Sequence, residues 1–132
     1  MLAIGDIHLY VNDLEAALRF WAGGLQLTVA EQDSDEFSAY ARLEFPDGGP
    51  ALVLIAELEP SPRRAQEWSA EPAVVFEVMT TDFDDTLARL RDHGGRQAGE
   101  TETYNGLKIA TLADPEGNAF ELIELPADVD GN

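Results

Sequence analysis

The stretch Thr111-Leu112-Ala113-Asp114-Pro115-Glu116-Gly117-Asn118-Ala119-Phe120-Glu121-Leu122-Ile123-Glu124 decides the fold. An apolar run enters Asp-Pro-Glu-Gly-Asn and an alternating run leaves it. Pro fixes φ for the second position of a turn, and Gly or Asn accepts a positive φ. The flanking runs alternate as strands do, so the stretch reads as a hairpin. Along its second strand Ala119, Glu121 and Ile123 share one face, while Phe120, Leu122 and Glu124 share the other. Phe120 and Leu122 suit a core, which turns Glu121 to the opposite side of the sheet.

Working outward, the chain carries the same order of elements twice. Ile4 to Val11 reads as a strand, with Ile7, Leu9 and Val11 on one face and Asp6, His8 and Tyr10 on the other. Asn12-Asp13 supplies a helix cap, and Gly23-Gly24 ends the helix. Leu25 to Ala30 is a second strand, Glu31 to Glu36 an acidic loop, and Phe37 to Phe45 a third strand. Ala51 to Ala56, apolar throughout, is a fourth strand expected to be buried on both faces. Ala73 to Val78 then begins the second round. Asp82 caps a helix that His93-Gly94-Gly95 ends, with His93 complementing the helix C-terminus. Arg96 to Thr103 is a polar strand or loop, Tyr104-Asn105-Gly106 a turn, and the hairpin closes the round. Val11 corresponds to Val78, Asp13 to Asp82 with one residue inserted, Gly24 to Gly94 or Gly95, and Pro46-Asp47-Gly48 to Pro115-Glu116-Gly117. Module one is 1–57, a Pro-rich linker 58–72, module two 73–126 and an acidic tail 127–132.

Composition bounds the function. At 132 residues the chain is one domain by size. Twenty-six acids against eight bases give a net charge of −18, with Lys108 as the only lysine. Neither a nucleic acid nor an anionic membrane surface is expected as a partner. The acidity reads either as a solvated surface or as a field that attracts a cationic ligand. There is no cysteine, so disulfides, thiol catalysis and Cys-ligated metals are excluded. No apolar run reaches the ~18 residues of a membrane span, and no secretory signal is evident. A cytoplasmic location is the expectation.

The repeated βαβββ unit, with Val11-Asn12-Asp13-Leu14-Glu15-Ala16-Ala17-Leu18-Arg19-Phe20-Trp21 after the first strand and Ala113-Asp114-Pro115-Glu116-Gly117-Asn118-Ala119-Phe120-Glu121 at the end, resembles the vicinal oxygen chelate superfamily. That family includes glyoxalase I, the bleomycin-resistance proteins and the extradiol dioxygenases. The resemblance implies an α+β fold of two βαβββ modules forming curved mixed sheets around a cleft, and a homodimer. In the family's metalloenzymes four positions ligate a metal, one on the first and one on the last strand of each module. Carried over singly, these positions are Asp6, Leu52, Ala73 and Glu121, the Leu52 assignment being uncertain by about two residues because turn lengths vary. Leu and Ala cannot ligate, and two carboxylates make a poor Zn, Ni or Fe site. His8 shares the face of Asp6 one pleat further on, ~7 Å away at strand rise. A metal, if present, would use Asp6, His8 and Glu121, but no cofactor is expected.

The expected ligand-contacting residues are Asp6, His8, Tyr10, Trp68, Glu77, Tyr104 and Glu121. Trp68, in the Pro-rich segment, either covers an apolar surface or stacks on a ligand. Glu77 shares a face with Ala73 and Val75, and Tyr104 would cap the cleft. No nucleophile elbow, phosphate loop, dinucleotide fingerprint or His-Glu-x-x-His motif occurs. The leading expectation is a small-molecule binder like the bleomycin-resistance branch, without a catalytic metal, for a cationic or aromatic ligand. The alternative is a lyase, isomerase or ring-cleaving dioxygenase with a degenerate metal site.

Overall fold

The computed structural model describes residues 1–58 and 75–126. The chain divides into two compact units, Met1–Gln66 and Glu67–Asn132. Unit 1 runs β1 (Ile7–Val11), α1 (Leu14–Leu18) continuing into a π-helical turn at Arg19–Gly24, β2 (Thr28–Ser34), β3 (Ser38–Glu44) and β4 (Leu52–Glu57). Unit 2 runs β5 (Phe76–Thr80), α2 (Phe83–Asp92), β6 (Arg96–Tyr104), β7 (Leu107–Ala113) and β8 (Ala119–Glu124). Each unit holds one four-stranded mixed sheet, ordered β1-β4-β3-β2 and β5-β8-β7-β6. In each, the first and last strands pair in parallel and the other pairs are antiparallel. The expected βαβββ layout is present twice.

In unit 1 the helical segment covers one sheet face. Val11, Ala41, Leu43, Leu52 and Leu54 bury there with Ala17, Phe20 and Trp21. Phe20 and Trp21 meet edge to face, ring centroids 4.9 Å apart. In unit 2 Val78, Ala110, Leu112, Phe120 and Leu122 bury with Phe83, Leu87 and Leu90, and Phe76 stacks on Phe120 at 5.9 Å. Each fully buried Leu or Phe contributes about 1.5–3 kcal/mol of transfer free energy.

Five expectations change in whole or in part. The first helix ends at Gly24, as expected, but neither glycine supplies a left-handed cap. The helical segment runs through both as a π turn, and the left-handed residue is Gln26 (φ 58°), with Leu27 N–H donating to the Ala22 carbonyl at 3.0 Å. Phe20 and Trp21 both reach zero exposure in that turn.

The second strand is Thr28–Ser34 rather than Leu25 to Ala30, so the acidic residues expected in a loop extend the ladder. The strand lies at a sheet edge and every residue is exposed, so no apolar alternation marks it. Its register shifts between Val29 and Glu31.

β4 is buried on one face only. Leu52 and Leu54 are fully buried, while Val53 and Ile55 are half-buried.

The fifth strand is Phe76–Thr80, two residues later than expected at its C-terminal end. Thr80 therefore corresponds to Val11, and Asp82 follows it at the same spacing as Asp13 follows Val11, with no insertion. Only Asp13 caps with its side chain, its Oδ1 accepting from Ala16 N–H at 3.1 Å. Asp82 makes no side-chain cap bond.

The polar segment expected from Arg96 to Thr103 as strand or loop is a strand through Tyr104, with an irregularity between Ala98 and Glu102. His93 behaves as expected: its Nδ1 donates to the Arg89 carbonyl at 2.7 Å.

Candidate functional site

In unit 2 the deciding stretch has a structural cause. Asp114 is fully buried. Its Oδ1 accepts from Glu116 N–H at 2.9 Å and Asn118 N–H at 2.8 Å. Its Oδ2 accepts from Asn118 Nδ2 at 2.9 Å. The Asp114 carbonyl takes Gly117 N–H at 3.0 Å, and its own N–H donates to Asn118 O at 2.9 Å. The carboxylate thus satisfies the turn from within, as Asp does in Asx turns. Pro115 lies where a Cβ on Gly94 would meet its Cγ at 3.3 Å, so the turn packs on the end of α2. Asp and Pro are there to build the hairpin, which aims Glu121.

On the face of this sheet opposite α2, Glu77 stands directly across from Glu121, and Thr111 stands on Glu121's other side. Glu121 is half-buried and Glu77 exposed. Met79 lies across from Ile123, and Ile123 from Ile109. Tyr104 also belongs to this face, but it pairs with Leu107 at the tip of the β6–β7 hairpin. That is four residues from Thr111, roughly 13 Å at strand rise. Asn105 (φ 52°) and Gly106 (φ 80°) form the two-residue turn. Tyr104 is 74% exposed and is not brought to Glu121.

In unit 1 the register confirms that His8 and Tyr10 share the face opposite the helix. Two rows cross the sheet there: His8–Val53–Arg42 and Tyr10–Ile55–Tyr40. Asp6 precedes β1 and is tied down on both oxygens. Oδ2 takes the Arg42 guanidinium, and Oδ1 accepts from Ala51 N–H at 3.1 Å. The Arg42 hydrogen bond foremost, then that of Ala51, holds the Asp6 carboxyl below the ordinary carboxylate value. The same bond to Asp6 raises Arg42 above its ordinary value. Arg42 Nε also stands 3.8 Å from Glu44. Tyr40 O–H donates to Glu31, which raises the phenol above the ordinary tyrosine value.

Arg42 and Tyr40, on the same face as His8 and Tyr10, are residues that the sequence analysis does not single out. The strand Ser-Ala-Tyr-Ala-Arg-Leu-Glu puts small alanines opposite polar groups, and small side chains announce neither face. Trp68 and Ala73 lie outside the described residues.

Register also moves two of the four ligand positions implied by the resemblance. Val53 opposes His8 as Glu121 opposes Glu77, so the last-strand position of unit 1 is Val53 rather than Leu52. Five residues before Thr80 stands Val75, not Ala73. Unit 1 therefore offers Asp6 and Val53, and unit 2 offers Val75 and Glu121. Two of these are aliphatic and a third is engaged by a guanidinium, so the donor set does not fit a divalent transition metal, which takes at least three protein ligands. Among the described residues no group of three or more His, Cys, Asp or Glu could hold a metal ion. No helix among them is long and apolar enough to cross a membrane.

A βαβββ unit occurring twice, each ending on a parallel pair of first and last strands, defines the class. The chain belongs to the Glyoxalase/Bleomycin resistance protein/Dioxygenase superfamily, whose profile matches residues 3–122. Solved structures of the same fold include a glyoxalase family protein from Bacillus cereus (TM-score 0.78, 19% identity, 96% of each chain covered). A glyoxylase/bleomycin resistance protein/dioxygenase domain from Frankia sp. has a TM-score of 0.75 at 18% identity, covering 94% of this chain and 98% of that one. A glyoxalase I mutant from Zea mays has a TM-score of 0.72 at 21% identity, covering 91% of this chain and 45% of that one. At such identities the likeness shows the fold alone. Comparison with curated proteins returned no match.

Proposed function

We propose that this chain binds a small molecule, cationic or aromatic, without a catalytic metal. The observation that carries the reading is the donor set: Val53 and Val75 stand where metalloenzymes of the superfamily need ligands. The net charge of −18 supports a cationic ligand. The carboxylates of Glu77 and Glu121 would hold an ammonium group. The row Tyr10–Ile55–Tyr40 offers rings and an aliphatic surface for a flat ligand. The superfamily resemblance further supports a homodimer, which light scattering checks.

Elemental analysis of protein purified without chelator or affinity tag, repeated after adding Zn, Ni, Mn and Fe(II), tests the metal half. A thermal-shift screen of cationic aromatic compounds tests the ligand half, with Glu121→Gln expected to weaken the shift. One equivalent of metal lost in Glu121→Ala would overturn the reading. It would then favour a lyase, isomerase or ring-cleaving dioxygenase.

A further inference from the structure

The row Tyr10–Ile55–Tyr40 has a neighbour on the same face of unit 1. Two residues further along each strand Ser38 stands across from Glu57, roughly 7 Å from Tyr40 and Ile55 at strand rise. The backbone carries the β3–β4 ladder one step past that pair, with Leu58 N–H donating to the Phe37 carbonyl at 2.7 Å. Phe37 N–H in turn donates to the Asp35 carboxylate at 2.7 Å. Phe37 and Leu58 are therefore held across from one another at the end of the sheet, yet they are 69% and 73% exposed. Beside them lies a cavity of about 670 Å³ lined by Glu36, Phe37, Ser38, Glu57 and Leu58. Its lining combines two large apolar side chains with two carboxylates and holds no base. In unit 2 the residues two places beyond the Ile109–Ile123 pair are Leu107 and Leu125, so Glu57 has no counterpart there.

We propose that this end of unit 1 is a binding site for an organic cation whose charge sits on an alkylated ammonium. A primary ammonium carries three N–H donors and a tight water shell, which Phe37, Leu58 and Ile55 cannot replace. An alkylated ammonium has apolar surface of its own and needs only ring faces and a negative field. Tyr40 stands on one side of Ile55 and Tyr10, 39% exposed, on the other. Neighbouring strands lie about 4.8 Å apart, so the two tyrosines rise roughly 10 Å from each other. A cation above Ile55 is then about 5 Å to the side of each, within the ~6 Å over which a ring face attracts a cation. The bond from Tyr40 O–H to Glu31 holds that ring by its edge. Glu57 supplies the negative charge at the mouth of the cavity, and Phe37 and Leu58 take the apolar remainder of the ligand. This inference rests on the small-ligand half of the proposed function and not on its metal half. A metal held around Glu121 would leave it standing.

The test titrates benzyltrimethylammonium into the 15N-labelled full chain and follows the amide shifts. The amides of Ser38, Ile55, Glu57 and Leu58 are expected to move together along one saturation curve. Benzyl alcohol, which keeps the ring and lacks the charge, should bind about threefold or more weaker, and benzylamine should also bind more weakly. Tyr40→Leu should weaken the trimethylated probe by about threefold or more, and Glu57→Gln by a similar factor. Tyr40→Phe, which keeps the ring, should stay near the native affinity. Equal affinity of the native protein for all three probes overturns the proposal, as does the absence of saturable shifts at these four amides. Both arms hold whether or not a variant folds. Native affinity in folded Tyr40→Leu and Glu57→Gln overturns it too. Shifts at Thr111 and Glu121 instead would overturn this assignment and leave unit 2 as the ammonium site of the proposed function. Silence at every amide, with no thermal shift across the cationic screen, would remove both.

Discussion

Glu77 and Glu121 stand directly opposite one another on the parallel strands β5 and β8. Among the described residues neither carboxylate has a cationic partner. Like charges directly across a strand pair repel, and one of the two, Glu121, is half-buried. The expected outcome for Glu77→Gln is a gain in stability of up to about 1 kcal/mol, read from the urea midpoint. The gain should shrink as salt rises, because screening weakens the repulsion in the native protein. A loss of stability would mean that Glu77 has a stabilising role beyond this pair.

Asp114 is expected to be among the costliest polar positions in unit 2. Its side chain satisfies two backbone N–H groups and one side-chain amide while fully buried. Asp114→Ala orphans those donors and should cost about 3 kcal/mol or more, since each unsatisfied buried group carries a penalty of about 1–3 kcal/mol. Asp114→Asn keeps the shape and one acceptor oxygen, so it should cost less. Equilibrium unfolding of both variants checks the order.

Gly94 combines a φ of +99° with a Cβ path that ends 3.3 Å from Pro115 Cγ. Gly94→Ala should therefore destabilise by about 1–2 kcal/mol through the left-handed backbone, plus a steric part from the turn. Pro115→Ala in the same chain removes the steric part only. A double-mutant cycle should show a coupling of about 0.5 kcal/mol or more between the two. Strict additivity would place the whole cost in the backbone.

Acid stability should depend on Asp6. Arg42 and Ala51 N–H hold its folded pKa below the unfolded value, so its contribution is present above about pH 4, the ordinary carboxylate value. It is lost as pH falls through the folded value, because the unfolded chain then takes up the proton first. Asp35 acts in the same sense through Phe37 and Ser38 N–H, at 2.7 and 2.9 Å. Urea midpoints measured from pH 6 downward should separate native protein from Asp6→Asn at neutral pH and converge at the acid end. A separation that persists unchanged to the acid end would locate the effect of Asp6→Asn elsewhere.

The sequence by itself determined the repeated βαβββ order, the closing hairpin, and the shared face of Asp6, His8 and Tyr10. These are local matters of strand alternation and of a turn whose Asp, Pro, Gly and Asn each meet a backbone requirement. It did not determine β2, because an edge strand exposed on both faces needs no apolar rhythm. Nor did it place the start of β5, where Ala-Val-Val-Phe and Val-Met offer several equivalent apolar phases and only pairing with β8 selects one. That two-residue difference moved the implied ligand position from Ala73 to Val75. The partnership of Arg42 with Asp6 was likewise a tertiary decision. The two are 36 residues apart, and they meet because the parallel pairing of β1 with β4 and the antiparallel pairing of β4 with β3 set their rows side by side. Alternation assigns a face within one strand. Which side chains meet on that face depends on register between strands, and register is fixed only when the whole sheet packs its apolar side against the helix.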